Sequence, residues 1–259
     1  MNVLVSNDDG IRAKGIHALT KALSGLEDVN VYVCAPDSQR SACGHGITMN
    51  GPIMVSGGKV EGAIMAWKTS GTPADCVKMA MHRLKSEYGI EVDVVFSGIN
   101  HGGNVGTDVL YSGTVSAAIE ALICGVSAVA VSINSHTPTD ELLEGCAKII
   151  QDVCMKAVPK MDKKTALNIN FPNINKDEIK GLRVTQLGPR QYNEDFNMLT
   201  NPHGINYYWY TGEAVVYDDI PETLDVMAVQ EGYVSVTPLH FDLTNYELCK
   251  DVESWELEF

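Results

Sequence analysis

The chain has 259 residues and a formal net charge of −14, length for one large core and an extension. Hydrophobic residues at 45% and charged residues at 20% are ordinary globular usage, and no apolar run approaches the ~18 residues of a membrane span. The start, MNVLVSNDDG, lacks a basic flank and turns polar early, so it does not read as a signal peptide and the expected location is the cytoplasm, with no membrane partner. The charge is uneven: Glu213 to Phe259 holds twelve acids and one base. That acidity repels a phosphate backbone and argues against polymeric nucleic acid as a partner. Seven cysteines without a CxxC pair argue against a disulfide framework or a structural zinc site.

In chain order, NVLVS at 2–6 is a short buried strand, NDDG is a turn, and apolar residues at 16, 19, 22 and 23 have helical spacing. Val29 to Ala35 is a second strand, which completes a βαβ unit and implies a parallel sheet. Thr72–Pro73 opens a helix, with threonine as N-cap and proline at the first helical position. A strand at 92–97, a helix at 115–123, a strand at 127–133, a helix at 140–157 and a strand at 166–171 continue the alternation. The expected fold class is therefore α/β, a Rossmann-like core over 1–180. After about 180 the helical periodicity fades into the β-like runs LRVTQL, INYYWYTGEAVVY and GYVSVTPL. Residues 181–259 read as a β-rich extension packed on the main sheet, of the kind that joins subunits.

In an open parallel sheet, ligands gather at the carboxyl ends of the strands. Asn7-Asp8-Asp9-Gly10 sets two adjacent carboxylates after the first strand, where a hard cation is the usual compensation for their repulsion; an exposed Asx turn is the plain alternative. The loop from Pro36 to Asn50 offers Ser41 as a weak metal ligand, Arg40 for a phosphate and His45 for acid–base work or binding. The loop from Ser97 to Asp108, SGINHGGNVGTD, lets backbone N–H groups approach an anion, while Asn100 and Asn104 supply amide oxygens to a metal or amide N–H groups to an oxyanion. It is neither a P-loop nor a Rossmann dinucleotide fingerprint. Tyr111 to Ser116 opens a helix, so its N–H groups and the hydroxyls of Ser112 and Thr114 suit a phosphate, or simply cap the helix. TSGTPADC at 69–76 reads as a capped helix with Asp75 in its first turn.

VLVSNDDGIRAKGIHAL, APDSQRSACGHGIT, SGTPADCVKMA, SGINHGGNVGTDVLYSGTVSAAIEA and YVSVTPLHFDLTN resemble, in order and over nearly the whole chain, the blocks of the SurE family. The resemblance implies a three-layer α/β/α fold and hydrolysis of nucleoside 5'- and 3'-monophosphates, with short polyphosphate as a further substrate of some members. It implies one divalent cation, Mg2+ or Mn2+, on Asp8, Asp9, Ser41 and Asn100, an all-oxygen set that suits hard cations. Ser112, Gly113 and Thr114 would hold the phosphate and Asn104 would meet developing charge. One of Asp8 and Asp9 would take the proton of the attacking water, with a phospho-aspartyl intermediate on Asp8 as the alternative. Homodimers or homotetramers through the extension are implied as well. Gly46 stands where serine is common in the family, and Ala121 where glycine is common. A non-catalytic nucleotide-binding regulator and a phosphotransferase are the competing readings.

Overall fold

The structure is a computed structural model and describes residues 1–255 and Leu257. A nine-stranded sheet has the order β3-β4-β2-β1-β5-β6-β7-β11-β8. Its strands are β1 (Asn2–Ser6), β2 (Asn30–Pro36), β3 (Val55–Gly57), β4 (Met65–Thr69), β5 (Val94–His101), β6 (Ser127–Ile133), β7 (Ala166–Phe171), β8 (Leu182–Val184) and β11 (Val234–Leu239). The central run from β4 to β7 is parallel, and β3 and β11 add antiparallel pairings toward the edges.

Strand periodicity divides the core into two layers. Val3, Val5, Val31, Val33 and Phe96 face helices α1 (Lys14–Ser24) and α4 (Asp140–Lys156), where they meet Ile16, Leu19, Leu23, Leu143 and Ile150. The alternate residues Leu4, Tyr32, Cys34 and Val95 face α2 (Pro73–Tyr88) and α3 (Gly113–Ile123), among Val77, Ala80, Leu84 and Ala118. The result is the expected α/β/α sandwich. Among the described residues no helix is long and apolar enough to cross a membrane.

The helix starts follow their caps. Thr72 accepts from the Asp75 N–H and Asp75 reaches back to the Thr72 N–H, a full capping box with Pro73 at the first position. Ser112 accepts from the Val115 N–H at the start of α3. β5 differs at both ends from the expected 92–97: it starts at Val94 and runs on to His101, five residues into the segment read as a loop, with a register shift between Ser97 and Asn100. Gly98 and Ile99 carry that shift and put Asn100 next to last in the strand.

The segment after 180 is more mixed than its composition suggests. β8 and β11 are strands of the main sheet, and α5 (Asp225–Gln230) and α6 (Tyr246–Glu253) are helices. β9 (Tyr192–Thr200) and β10 (Asn206–Ala214) form a separate antiparallel hairpin. Its aromatic side chains are largely exposed, Trp209 at 62% and Tyr208 at 61%.

Candidate active site

Strand order reverses at β1, which has β2 on one side and β5 on the other. The crevice beyond the carboxyl ends of β1 and β5 is thus the switch point of the sheet, where such folds bind ligands. A cleft of about 1030 Å³ opens there, lined among others by Asp8, Ser41, Asn100, Asn104 and Ser112. Five positions picked from four separate loops therefore share one cavity.

Asp8 is buried, 4% exposed, as are Asn104 and Ser112. Thr114, 106 residues away at the start of α3, donates its hydroxyl to Asp8 Oδ1 at 2.6 Å. Burial raises the Asp8 pKa, the Thr114 hydroxyl pulls it down, and the neighbouring Asp9 raises it; the balance is pushed up to about 6. Asp9 accepts from the His101 N–H at 3.2 Å and from Gln39 Nε2 at 3.4 Å. The same Gln39 nitrogen donates to Ser41 Oγ at 2.9 Å, so one amide bridges two of the expected metal ligands. Asn100 donates Nδ2 to the Gly102 carbonyl at 2.7 Å, which leaves its amide oxygen as the group available to a cation.

These four residues fit a hard divalent cation. Their donor atoms are oxygens, and the buried carboxylate beside a second one carries an electrostatic penalty that a cation would relieve. No three His, Cys, Asp or Glu side chains gather as a metal group among the described residues; the set here is two carboxylates with one hydroxyl and one amide.

The start of α3 borders the site: its N-cap Ser112 lines the cleft, while Gly113 and Thr114 stand behind it against Asp8. Its first-turn N–H groups have no acceptor within the helix. A Cβ on Gly113 would stand 2.7 Å from Asp8 Cβ and 3.0 Å from Pro73 Cγ, so only glycine lets the helix end approach the aspartate this closely. The hydroxyl of Thr114 is engaged with Asp8 and that of Ser112 accepts from Val115, so what these residues offer a phosphate is chiefly backbone N–H.

Two candidates of the second loop lie elsewhere. His45 Nε2 bonds Glu120 Oε2 at 2.8 Å, and Glu120, itself buried, also takes Lys78 Nζ at 2.6 Å. This cluster ties the loop to α3 and α2. The Arg40 guanidinium donates to the Ser70 carbonyl at 2.9 Å and pairs with Asp37, while its backbone N–H bonds the Asp8 carbonyl at 2.7 Å. Neither His45 nor Arg40 lines the cleft.

Other cleft residues carried no readable signal. Tyr192, Phe196 and Tyr210 of the hairpin wall the cleft, the last two with rings 5.1 Å apart. At the hairpin base Asp108 takes Arg190 Nε at 3.1 Å and the Tyr192 hydroxyl at 2.6 Å. Asp225, fully buried at the start of α5, accepts from the N–H groups of Gly106 and Gly188, both at 2.8 Å. It fastens the glycine-rich loop and the approach to the hairpin to one carboxylate. Gln39 and Asp108 do lie within the quoted motifs APDSQRSACGHGIT and SGINHGGNVGTDVLYSGTVSAAIEA, where nothing marked them out from their neighbours.

Comparison with known proteins gives one answer throughout. The family model described as survival protein SurE matches residues 3–194. The 5'-nucleotidase SurE of Heliobacterium modesticaldum is 46% identical over 260 residues, covering 98% of this chain and 92% of the relative. The 5'-nucleotidase SurE of Syntrophomonas wolfei is 45% identical over 251 residues, with 96% and 92% covered. The crystal structure of the SurE protein from Aquifex aeolicus, 38% identical, matches with a TM-score of 0.83 over 99% of this chain and 100% of that one.

Proposed function

The chain belongs to the SurE family, and from that premise we propose that it is a metal-dependent 5'-nucleotidase that hydrolyses nucleoside monophosphates to nucleoside and phosphate. The observation that carries the reading is Asp8, a buried carboxylate beside a second one, tied to a helix start and opening on a large cleft. The cleft exceeds what a phosphate needs, which supports a substrate with a nucleoside attached. Nucleoside 3'-monophosphates and short polyphosphate belong to the same reading, since the helix start recognises phosphate and not its substituent.

Asp8, Asp9, Ser41 and Asn100 would hold Mg2+ or Mn2+. When bound, the cation supplies Lewis acidity and charge neutralisation at the phosphate. The chain's own groups do the rest. The backbone N–H groups of Gly113 and Thr114, with the Ser112 hydroxyl, orient the phosphate, and the amide of Asn104 faces the charge that develops on it. Thr114 holds the Asp8 carboxylate in one orientation through its 2.6 Å hydrogen bond. One of the two aspartates accepts the proton of the attacking water, with Asp8 as nucleophile the alternative route. Seven free cysteines, four of them buried, suit a reducing cytoplasm. The exposed apolar hairpin and α6 suit a homodimer or homotetramer.

The test is inorganic phosphate release from a panel of nucleoside 5'- and 3'-monophosphates, with EDTA or with added Mg2+ or Mn2+. Release that depends on metal and is lost in Asp8→Asn is expected. Undiminished release in EDTA, or wild-type turnover by Asp8→Asn, would overturn the reading.

A further inference from the structure

We propose, on the reading that Asn104 faces the transferring phosphate, that Asn170, with Asn168 and Ser132, is a positioning residue for the reaction. β7 reads ALNINF, and its period of two turns Leu167, Ile169 and Phe171 to one layer of the core and Asn168 and Asn170 to the other. Register sets Ser132 of β6 directly beside Asn170. Asn168, Asn170 and Ser132 are all fully buried. Polar groups in such a place destabilise the fold unless they are bonded, and here their bonds converge on one residue of the glycine-rich loop.

Asn170 Oδ1 accepts from the Asn104 backbone N–H at 2.7 Å, and Asn170 Nδ2 donates to the Asn104 carbonyl at 3.0 Å. Asn168 Nδ2 donates to the same carbonyl at 2.8 Å. Ser132 Oγ accepts from Asn104 Nδ2 at 2.7 Å. Both backbone polar groups of Asn104 and one hydrogen of its side-chain amide are thereby fixed. The second amide hydrogen and the amide oxygen are left for the cleft, which Asn104 lines. Asn168 Oδ1 is buried with no hydrogen-bond partner. A strand selected for stability alone would carry an apolar residue there; an asparagine makes sense as the donor that completes the grip on Asn104.

Two asparagines and a serine thus hold a loop that has four glycines in twelve residues and would otherwise be free to move. A donor aimed at developing charge acts only if it is already in place, so loss of the grip should lower kcat and leave ground-state binding nearly unchanged.

The experiment measures kcat and KM for nucleoside monophosphate hydrolysis by Asn170→Ala, Asn104→Ala and the double variant, each first shown to be folded by its thermal transition. Asn170→Ala should lower kcat about 10- to 100-fold with KM within about twofold. The double variant should be no slower than Asn104→Ala, because the two residues act through one group. Wild-type kcat in Asn170→Ala, or losses that multiply in the double variant, would overturn the proposal. If Asn170→Ala does not fold, Ser132→Ala, which removes one hydroxyl, replaces it in the same cycle under the same criteria. Wild-type kcat in Asn104→Ala would overturn the role of Asn104 itself, and the positioning role with it.

Discussion

Asp8 is set between two demands. Its place at the end of the central strand buries it, while the proposed chemistry needs it charged. In the metal-free chain its pKa of about 6 stands above the usual 3.8. Between those values the folded chain binds more protons than the unfolded one, so this group's contribution to stability falls as pH rises from about 4 to 6. Above that window the ionised side chain costs roughly 3 kcal/mol, about two pKa units of differential interaction. Asp8→Asn removes the charge and keeps an acceptor for Thr114. In the presence of a chelator it should therefore melt several degrees higher than wild type at pH 7 to 8, the gain fading toward pH 4. Thermal melts across that range check this; an Asn variant no more stable at pH 8 would show that the folded chain relieves the charge by other means.

At the scale of elements, the site depends on pieces that are distant along the chain and joined by single side chains. Glu120 links the second loop to α2 and α3 through His45 and Lys78. Asp225 links the glycine-rich loop at Gly106 to the segment entering the hairpin at Gly188. A buried carboxylate holding backbone N–H groups in two segments makes strong bonds whose loss strands the donors. Asp225→Ala should destabilise the chain by about 3 kcal/mol or more. It should also speed amide hydrogen exchange at Gly106 and Gly188 beyond what the global change accounts for. Uniform acceleration over the whole chain would instead assign Asp225 a purely global role.

For the whole molecule, the hairpin and the carboxyl-terminal helix leave a large apolar surface open. Tyr208 and Trp209 are exposed on β10, and Tyr246 at 66% and Trp255 at 55% are exposed near the carboxyl end. Exposed aromatic side chains of this kind are a mark of interaction surfaces. Sedimentation of the wild-type chain should show a dimer or tetramer, and the paired change Tyr208→Ser, Trp209→Ser should shift it to a smaller species. A wild-type monomer at micromolar concentration would remove the oligomeric role of the hairpin. Because the hairpin also walls the cleft through Tyr192, Phe196 and Tyr210, loss of assembly should raise KM as well.

Much of this architecture is local in origin and could be read from the residues alone. Apolar runs placed β1, β2, β6 and β7 to within a residue or so, and Thr72 and Ser112 marked helix starts that their capping hydrogen bonds bear out. The loops that follow the strands could be picked as the chemical ones because a parallel sheet has only one end where ligands gather. Other features depended on tertiary structure because they join residues far apart. Gln39 between Asp9 and Ser41, His45 turned away to Glu120, and the grip of Asn170 on Asn104, 66 residues distant, follow from strand order and register. The same holds for β11, whose alternation marks a strand but not its partner; only packing of the finished sheet puts it between β7 and β8. Sequence pattern records which face of an element is apolar over about ten residues. Which polar side chains of different elements meet is decided when those faces are packed together.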